Sequence, residues 1–273
     1  MRKELLDKKK NPSWEYMEGD YYVAWRGDNP VGTIAAFVNR HHNEFHEENI
    51  SWFGFFEVYD DQEAATALLE AAAEWGRSRG YDGVRGPQSF TIMDEVGLLV
   101  ENFDRPVVMM PYNPPYYQAL VENSGVGFAK VMDVHCFYMN WELLGETRIA
   151  ERLENIVKRM QRNQSIEIRA IDRKNLKQEF QLFKDIYNSA WEKNWGFTPF
   201  TPAELDMLVH TLGQFFDPDM ACFAYVDGKP AAFAIGIPDL NQAVQKAYPR
   251  PGVPEWVTLI KALWHWKIRS KID

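Results

Sequence analysis

The sequence predicts a mixed α/β fold of the α+β class, with two tandem domains in which helices cover both faces of a mixed β-sheet. Three observations lead to this prediction. Strand-like and helix-like runs alternate along the chain, one helix carries clear signals at both ends, and the order of elements in the second half completes the order in the first. Such alternation is typical of sheets that pack against helices.

The composition narrows the classes of partner. The 273 residues carry a formal net charge of -9, which argues against nucleic acid. No apolar run approaches the roughly 18 residues of a membrane span, so we expect no membrane partner. The only cysteines, Cys136 and Cys222, lie among apolar residues. This favours a reducing compartment and predicts a cytoplasmic location.

The first elements are three strands. A turn-forming cluster, "RGDNPVG", separates two β-rich runs and predicts a hairpin of residues 21–26 and 31–39. The run "ISWFGFFEV" predicts a third strand.

The next element is the best-defined helix, in the stretch "YDDQEAATALLEAAAEWGRSRG". Asp60 or Asp61 serves as its N-cap, Glu63 stands three positions after Asp60 as in a capping box, and Gly80 stops the helix.

Three further elements complete the first half. "YDGVRGP" predicts a short strand, residues 114–123 predict a helix that begins at a Pro-Pro pair, and "AKVMDVHCFYMNW" predicts a returning strand. The predicted order is strand, strand, strand, helix, strand, helix, strand.

The second half begins after a predicted connecting helix at 142–165. It contains a strand, two helices and a hairpin turned at Asp227-Gly228: "IEIRAI", "KNLKQEFQLFKDIYNSAWEKN", "TPAELDMLVHTLGQFF", "MACFAYV" and "KPAAFAIGI". Joined to the first order, this gives one complete domain pattern, so we infer an internal duplication with domains at 1–141 and 166–273.

Several segments resemble tandem GNAT-like proteins, members of the acyltransferase superfamily that are distantly similar to Fem-type aminoacyltransferases: "NPVGTIAAFVNRHHNEFH", "WFGFFE", "VMMPYNPPYY", "YNSAWEKNWGFTP" and "PDLN". The resemblance implies acetyl or aminoacyl transfer from acetyl-CoA or another acyl-CoA to a small-molecule or peptide-like amine. It also implies a strand and a helix before "RKELLDKKK" and an acyl-CoA motif after "KIRSKID". We therefore expect an internal fragment with two incomplete domains, inactive as it stands.

The stretch "MPYNPPYYQALVENSGVGF" is where the resemblance places the reaction centre. In the GNAT pattern an Asn begins a helix, a later Tyr protonates the leaving thiolate, and a Gly-Phe ends the helix. Asn113 and Gly127-Phe128 match, but Leu120 stands at the proton-donor place. The pattern therefore assigns no catalytic residue, and Asn113, Tyr116 and Tyr117 become substrate-contact candidates. Alternatively, the tyrosines pack on the sheet with their hydroxyls at its rim.

The cofactor loop tests acyl-CoA binding more sharply. The resemblance implies an Arg/Gln-x-x-Gly-x-Gly/Ala loop that holds the pyrophosphate at a helix N-terminus. Here that place reads "VYDDQEAA", without glycine and with carboxylates at Asp60, Asp61 and Glu63. We expect no coenzyme A in the first domain, which then serves as a structural or substrate-holding copy.

A histidine pair raises the possibility of a metal. His42 and His46 stand at i, i+4 beside Glu47, as two ligands on one helical face would. The segment lies between two predicted strands with no predicted helix, so we expect a solvated or hydrogen-bonded loop and no metal.

An aromatic set in the second half suggests a ligand cleft. Tyr187, Trp191 and Trp195 share one helical face, with Asn188 and Asn194 beside them. Flat apolar walls with hydrogen-bonding groups are typical of ligand sites, whereas core packing is the alternative.

Two polar residues follow the second hairpin in "IPDLN". Asp239 and Asn241 come directly after Pro238 and are candidates to receive an amine in the same cleft. The alternative is that they only form a turn.

The amphipathic stretch "WVTLIKALWHWKIR" is expected to pack on its own sheet rather than on a membrane. Two function classes stay open: an N-acyltransferase, and a noncatalytic protein that binds a small or peptide-like ligand. The oligomeric state is not predicted.

Overall fold

The computed structural model describes residues 5–92, 94–104, 106–146, 148–162, 165–213 and 216–269. The chain forms two compact units. Unit 1 contains Met1–Ala129, Glu192–Met207 and Pro238–Asp273, and unit 2 contains Lys130–Trp191 and Leu208–Ile237. The domain boundaries given above stay a prediction.

The strands lie in two sheets. In chain order they are β1 Met17–Arg26, β2 Asn29–Asn39, β3 Ile50–Val58, β4 Gly83–Arg85, β5 Ile166–Ala170, β6 Ala221–Val226 and β7 Lys229–Ile235. One sheet has the order β1-β2-β3-β4 and the other β5-β6-β7. All neighbours are antiparallel except β3 and β4, which are parallel. The mixed sheet and both predicted hairpins are confirmed.

The helices are α1 Arg40–His46, α2 Gln62–Arg77, α3 Tyr117–Glu122, α4 Trp141–Glu146, α5 Ile149–Arg162, α6 Leu176–Trp191, α7 Pro202–Gly213, α8 Leu240–Ala247 and α9 Glu255–Trp264. Short 3-10 helices span Pro12–Glu15 and Pro218–Met220, and a π-helix spans His265–Arg269. The predicted connecting helix is therefore helical in two pieces, α4 and α5.

Helix α2 begins and ends near the residues that its sequence marks as end signals. The Asp61 carboxylate accepts a hydrogen bond from the Ala64 N–H at 3.1 Å, so Asp61 is the N-cap. Gly80 has a left-handed φ of 83° just after the helix. The expected capping box is wrong, because Glu63 binds Arg26 instead.

The core of unit 1 lies between α2 and its sheet. Leu68, Leu69 and Trp75 of α2 are buried against Ile34 and Phe53 of β2 and β3. Helix α3 packs into the same core through its buried residues Tyr117, Leu120 and Val121. It begins at Tyr117, three residues later than predicted.

The predicted strand "AKVMDVHCFYMNW" is wrong. Residues 129–140 join no ladder among the described strands, and their apolar side chains are exposed, Phe137 by 90%. Alternating apolar residues predict a strand only if a partner takes up its N–H and C=O groups, and a sequence pattern cannot show whether one is present.

Unit 2 is organised around β5-β6-β7. Asp227 and Gly228 both have positive φ angles, 51° and 74°, and form the tight turn that the sequence predicts between β6 and β7. Helix α6 covers the sheet through Phe183, whose ring centroid lies 4.7 Å from that of Phe233 on β7.

The expected packing of "WVTLIKALWHWKIR" on a sheet is wrong. Helix α9 contacts α8 and the π-helix that follows it, and none of its residues is buried. A pattern of apolar residues marks the face of a helix but not its partner. Within the described residues, no helix combines the length and apolar character needed to cross a membrane.

Candidate functional site

The open edge of β3 borders the first candidate site. Strands β3 and β4 pair only from Ile50–Gly83 to Trp52–Arg85, and the remainder of β3 faces α3 and the loop after β4. A recess with a cavity volume of about 50 Å³ lies there and is called the β3-edge recess. Its polar lining includes Glu57, Gln88, Glu95, Asn113 and Tyr117.

Two tyrosine hydroxyls form hydrogen bonds with the backbone N–H and C=O of Val58 at this edge. The Val58 N–H donates to the Tyr117 hydroxyl at 3.0 Å, and the Tyr116 hydroxyl donates to the Val58 carbonyl at 3.1 Å. The Tyr117 hydroxyl also donates to the Glu57 carboxylate at 3.1 Å. Burial raises the pKa of Tyr117 to about 12, so this hydroxyl remains protonated. Both tyrosines thus have the packing given above as the alternative.

Asn113 fixes a loop rather than opening α3. Its side-chain oxygen accepts from the Leu99 N–H at 2.7 Å, and its amide donates to the Leu99 carbonyl at 3.2 Å. Both polar ends of the side chain are therefore engaged at the wall of the β3-edge recess.

The N-terminus of α2 is occupied by carboxylates of the chain itself. Asp61 accepts from the Ala64 N–H and also binds Arg26 at 2.7 Å. The hydrogen bond from Ala64, followed by the bond from Arg26, lowers the pKa of Asp61. An anion arriving here would meet an ionised carboxylate that already uses a backbone donor.

A second, small recess with a cavity volume of about 10 Å³, about the size of one water molecule, lies within unit 1 and is called the histidine recess. The following residues line it: Tyr16, Asn39, His42, Gln88, Thr91, Ile92, Gly196, Thr198, Pro199 and Phe200. Sequence reasoning missed this site. Gln88 lines both recesses.

His42 is fixed on α1, which corrects the expectation of a loop. The Asn39 side chain caps α1 by accepting from the His42 N–H at 2.9 Å. The imidazole is buried edge-on against Trp52, at 5.0 Å between ring centroids. Its Nδ1 lies 3.2 Å from the Thr198 hydroxyl and its Nε2 lies 3.0 Å from the Glu48 carboxylate. Burial is the main cause that lowers the pKa of His42.

Arg85 holds the other side of Glu48. Its guanidinium donates two hydrogen bonds to that carboxylate, at 3.0 and 2.9 Å, and lowers the pKa of Glu48. The guanidinium also lies 5.1 Å from the ring of Trp52 and 5.8 Å from that of Trp195. Trp195, a predicted site residue, therefore lies against the guanidinium that binds Glu48.

Two acids bind residues that line the histidine recess: Glu204 accepts from Tyr16, and Asp94 accepts from Thr91. Glu204 forms a capping box with Thr201 at the start of α7 and accepts from the Ser13 hydroxyl at 2.7 Å. Asp94 accepts from the backbone and the hydroxyl of Thr91, and burial raises its pKa to about 7.

The possibility of a metal at His42 and His46 finds no support in the described residues. No group of three His, Cys, Asp or Glu side chains among them is arranged to hold a metal ion. His46 lies beside His42 but uses its Nε2 to donate to the Phe197 carbonyl at 2.7 Å.

The remaining predicted site residues fall in both units. Tyr187 stacks on Trp191 at 5.8 Å in α6 of unit 2, which also carries Asn188. Asn194 and Trp195 belong to unit 1. Asp239 is the N-cap of α8 in unit 1 and accepts from the Asn241 N–H at 3.2 Å, as in the turn alternative. The aromatic cleft stays a prediction.

Comparison with known proteins identifies the family of this chain. Residues 2–85 match the model of the acetyltransferase (GNAT) family. The chain is similar to protein YghO of Escherichia coli (strain K12), with 33% identity over 236 residues, which is 86% of this chain and 59% of YghO. It is also similar to the bacterial ceramide synthase of Caulobacter vibrioides (strain NA1000 / CB15N), with 32% identity over 273 residues, which is 98% of this chain and 68% of that protein.

The chain therefore belongs to the GNAT-like acyltransferases, and the resemblance read from the sequence is confirmed. It spans somewhat more than half of YghO and about two thirds of the ceramide synthase. Members of this family generally use acyl-CoA.

Proposed function

We propose that the chain takes part in N-acyl transfer, in which the acyl group of an acyl-CoA is joined to the amino group of an acceptor. Similarity to a ceramide synthase along 98% of the chain carries this proposal. Ceramide is an amide of a fatty acid with a long-chain amino alcohol, so its synthesis is N-acylation. A long-chain amine is accordingly the first acceptor to test, ahead of peptide-like amines.

Unit 1 serves the acceptor rather than the acyl donor. Its α2 N-terminus holds Asp61 where a pyrophosphate would need free N–H groups. Its β3 edge has the N–H and C=O of Val58 bound to tyrosine hydroxyls. Both features disfavour a CoA thioester at this sheet.

The lining of the histidine recess suits the amino group of such an acceptor, and its cavity volume of about 10 Å³ has room for that group alone. Ile92, Pro199 and Phe200 provide apolar surface, and Asn39 and Gln88 provide amide groups. The acceptor is a small-molecule amine rather than a nucleic acid, because the net charge of -9 disfavours nucleic acid. A cytoplasmic location stays a prediction from the cysteines.

A noncatalytic binding protein is the second candidate. The occupied α2 N-terminus favours it, because a GNAT domain without a pyrophosphate site can still hold the acceptor-like ligand. Such a protein would bind the amine without forming an amide.

Incubation with hexadecanoyl-CoA and sphinganine separates the two candidates. The N-acyltransferase candidate predicts an N-acyl product, measured by mass spectrometry, together with an equal amount of free thiol. That result would overturn the expectation from the sequence that the chain is inactive as it stands. Binding of sphinganine in calorimetry without acylation supports the binding protein. If sphinganine is neither bound nor acylated, both candidates lose their proposed acceptor. The corresponding N-methylated trialkylammonium compound is the control, since it has no proton to lose and forms no amide.

A further inference from the structure

Three side chains at the histidine recess form a continuous chain of hydrogen bonds that acceptor binding alone does not use. The Thr198 hydroxyl, the His42 imidazole and the Glu48 carboxylate follow one another at 3.2 and 3.0 Å. The order hydroxyl, imidazole, carboxylate is the one by which a histidine withdraws a proton from a hydroxyl group. We propose that this chain is a proton relay in which His42 takes up, through Thr198, the proton released by an amine in the recess. The proposal rests on the N-acyl transfer proposed above.

Glu48 sets the tautomer that the relay needs. Its two hydrogen bonds from Arg85 keep the carboxylate ionised, so it accepts a hydrogen bond from His42 Nε2–H. The unprotonated Nδ1 then faces the Thr198 hydroxyl as an acceptor. The charged and titratable groups around the ring are Glu48, His46 and Arg85. Burial and these groups together lower the pKa of His42, so the imidazole is neutral near pH 7 and can accept a proton.

The hydroxyl is held by its neighbours along the chain. Phe197, which is fully buried, anchors the backbone just before Thr198, and its carbonyl accepts the hydrogen bond from His46. Thr198 itself is half-buried and lines the recess. Its hydroxyl thus contacts the imidazole at the wall of the same recess that would take the amino group.

The chemistry balances with the acyl thioester as co-reactant. The amine nitrogen bonds to the thioester carbon, the carbon–sulfur bond breaks, and its electron pair goes to sulfur. The proton lost by nitrogen passes to the Thr198 oxygen while the proton of that hydroxyl passes to His42 Nδ1. The imidazolium, stabilised by Glu48, returns a proton through solvent to the thiolate. Amine and thioester have become amide and thiol.

The tautomer is measurable without turnover. In the full chain labelled with ¹⁵N-histidine, we expect His42 to be neutral near pH 7 with its proton on Nε2. Thr198→Val should shift the Nδ1 resonance, because the donated hydrogen bond is lost, and leave the Nε2–H in place. A proton on Nδ1, or an imidazolium near pH 7, overturns the relay whether or not the protein is active.

Kinetics with hexadecanoyl-CoA and sphinganine give the second test. His42→Gln and Thr198→Val should lower kcat by about 10²- to 10⁴-fold, the usual range for loss of a general base. Thr198→Ser should restore the rate and its decline at acidic pH, whereas exposed His135→Gln is a control that keeps the wild-type profile. Full activity and an unchanged pH profile in both variants overturn the relay.

Absence of any amide from the wild-type chain counts against the proposed function, and the tautomer measurement then decides the relay separately. If His42→Gln fails to fold, the Val and Ser variants at 198 decide.

Discussion

Glu48 binds His42 and Arg85 through the same carboxylate, with hydrogen bonds of 3.0 Å to the imidazole and of 3.0 and 2.9 Å to the guanidinium. His42 and Glu48 are close to each other in the sequence, whereas Arg85 lies on β4. The carboxylate therefore joins α1 to the short parallel strand and places the imidazole at the recess wall.

The first prediction concerns the effect of pH on stability. Burial lowers the pKa of folded His42 below its ordinary value of about 6.5. As the pH falls below that value, the unfolded chain takes up a proton before the folded chain does, so the free energy of unfolding decreases until the folded pKa is reached. We expect urea unfolding to show this loss between about pH 6.5 and the lower folded pKa.

His42→Gln removes the titrating group and should flatten that part of the pH profile. His135→Gln replaces an exposed histidine and serves as the control that keeps it. An equally steep profile in His42→Gln would assign the loss to other groups.

The second prediction is that Glu48→Gln destabilises the protein and makes His42 harder to protonate. The substitution takes a charged partner from Arg85 and from the imidazole, and a cost of about 1–3 kcal/mol is usual for a polar group left without its partner. Because the Glu48 carboxylate raises the pKa of His42 against the effect of burial, its removal should lower that pKa further.

Glu47→Gln is the matched control for Glu48→Gln. Glu47 is adjacent in sequence but exposed, so its free energy of unfolding should change by less than about 0.5 kcal/mol. Denaturant unfolding and NMR titration of His42 measure the two effects. Equal stability of the two variants would show that the Glu48 interactions contribute nothing measurable.

The third prediction compares two aromatic residues that stand two positions apart. Trp195 is 41% exposed and Phe197 is fully buried. Phe197→Ala should cost about 3–5 kcal/mol, as truncation of a core aromatic does. Trp195→Ala should cost about 1 kcal/mol or less, since the side chain is exposed and its ring contact with Arg85 is a cation–π contact.

Trp195→Ala also tests the predicted aromatic cleft. If the ring lines a ligand site, the variant should keep its circular dichroism spectrum and lose binding of sphinganine in calorimetry. A folded variant with unchanged affinity would remove Trp195 from the site, and a loss of about 3–5 kcal/mol in stability would make it a core residue.

The fold was predictable where local signals determine it. Asp61 and Gly80 mark the ends of α2, and "RGDNPVG" separates β1 from β2, because capping and turn chemistry act over a few residues. The stretch 129–140 was predicted wrongly because a strand depends on a partner elsewhere in the chain.

The candidate site was less predictable for the same reason. His42 contacts Thr198, a residue 156 positions away, and no local pattern announces a hydrogen bond over that distance. The spacing of His42 and His46 did indicate one helical face, and Asn39 before them was a usable N-cap signal for α1. Those two features together could have placed the pair on a helix, but not beside Thr198.

The last prediction concerns Asp61 at the start of α2. Asp61→Ala removes the cap from the Ala64 N–H and should cost about 1 kcal/mol, whereas Asp60→Ala, at an exposed neighbouring position, should cost little. Hydrogen exchange of Gln62–Thr66 should become faster in Asp61→Ala. Addition of acetyl-CoA should not slow this exchange in the wild-type chain, because the helix start already binds its own carboxylate. In the variant, Glu63 remains beside Arg26 and the segment still lacks glycine, so we again expect no protection. Protection of Gln62–Thr66 by acetyl-CoA in the wild-type chain would show that unit 1 binds the acyl donor even though Asp61 and Val58 already have partners within the chain.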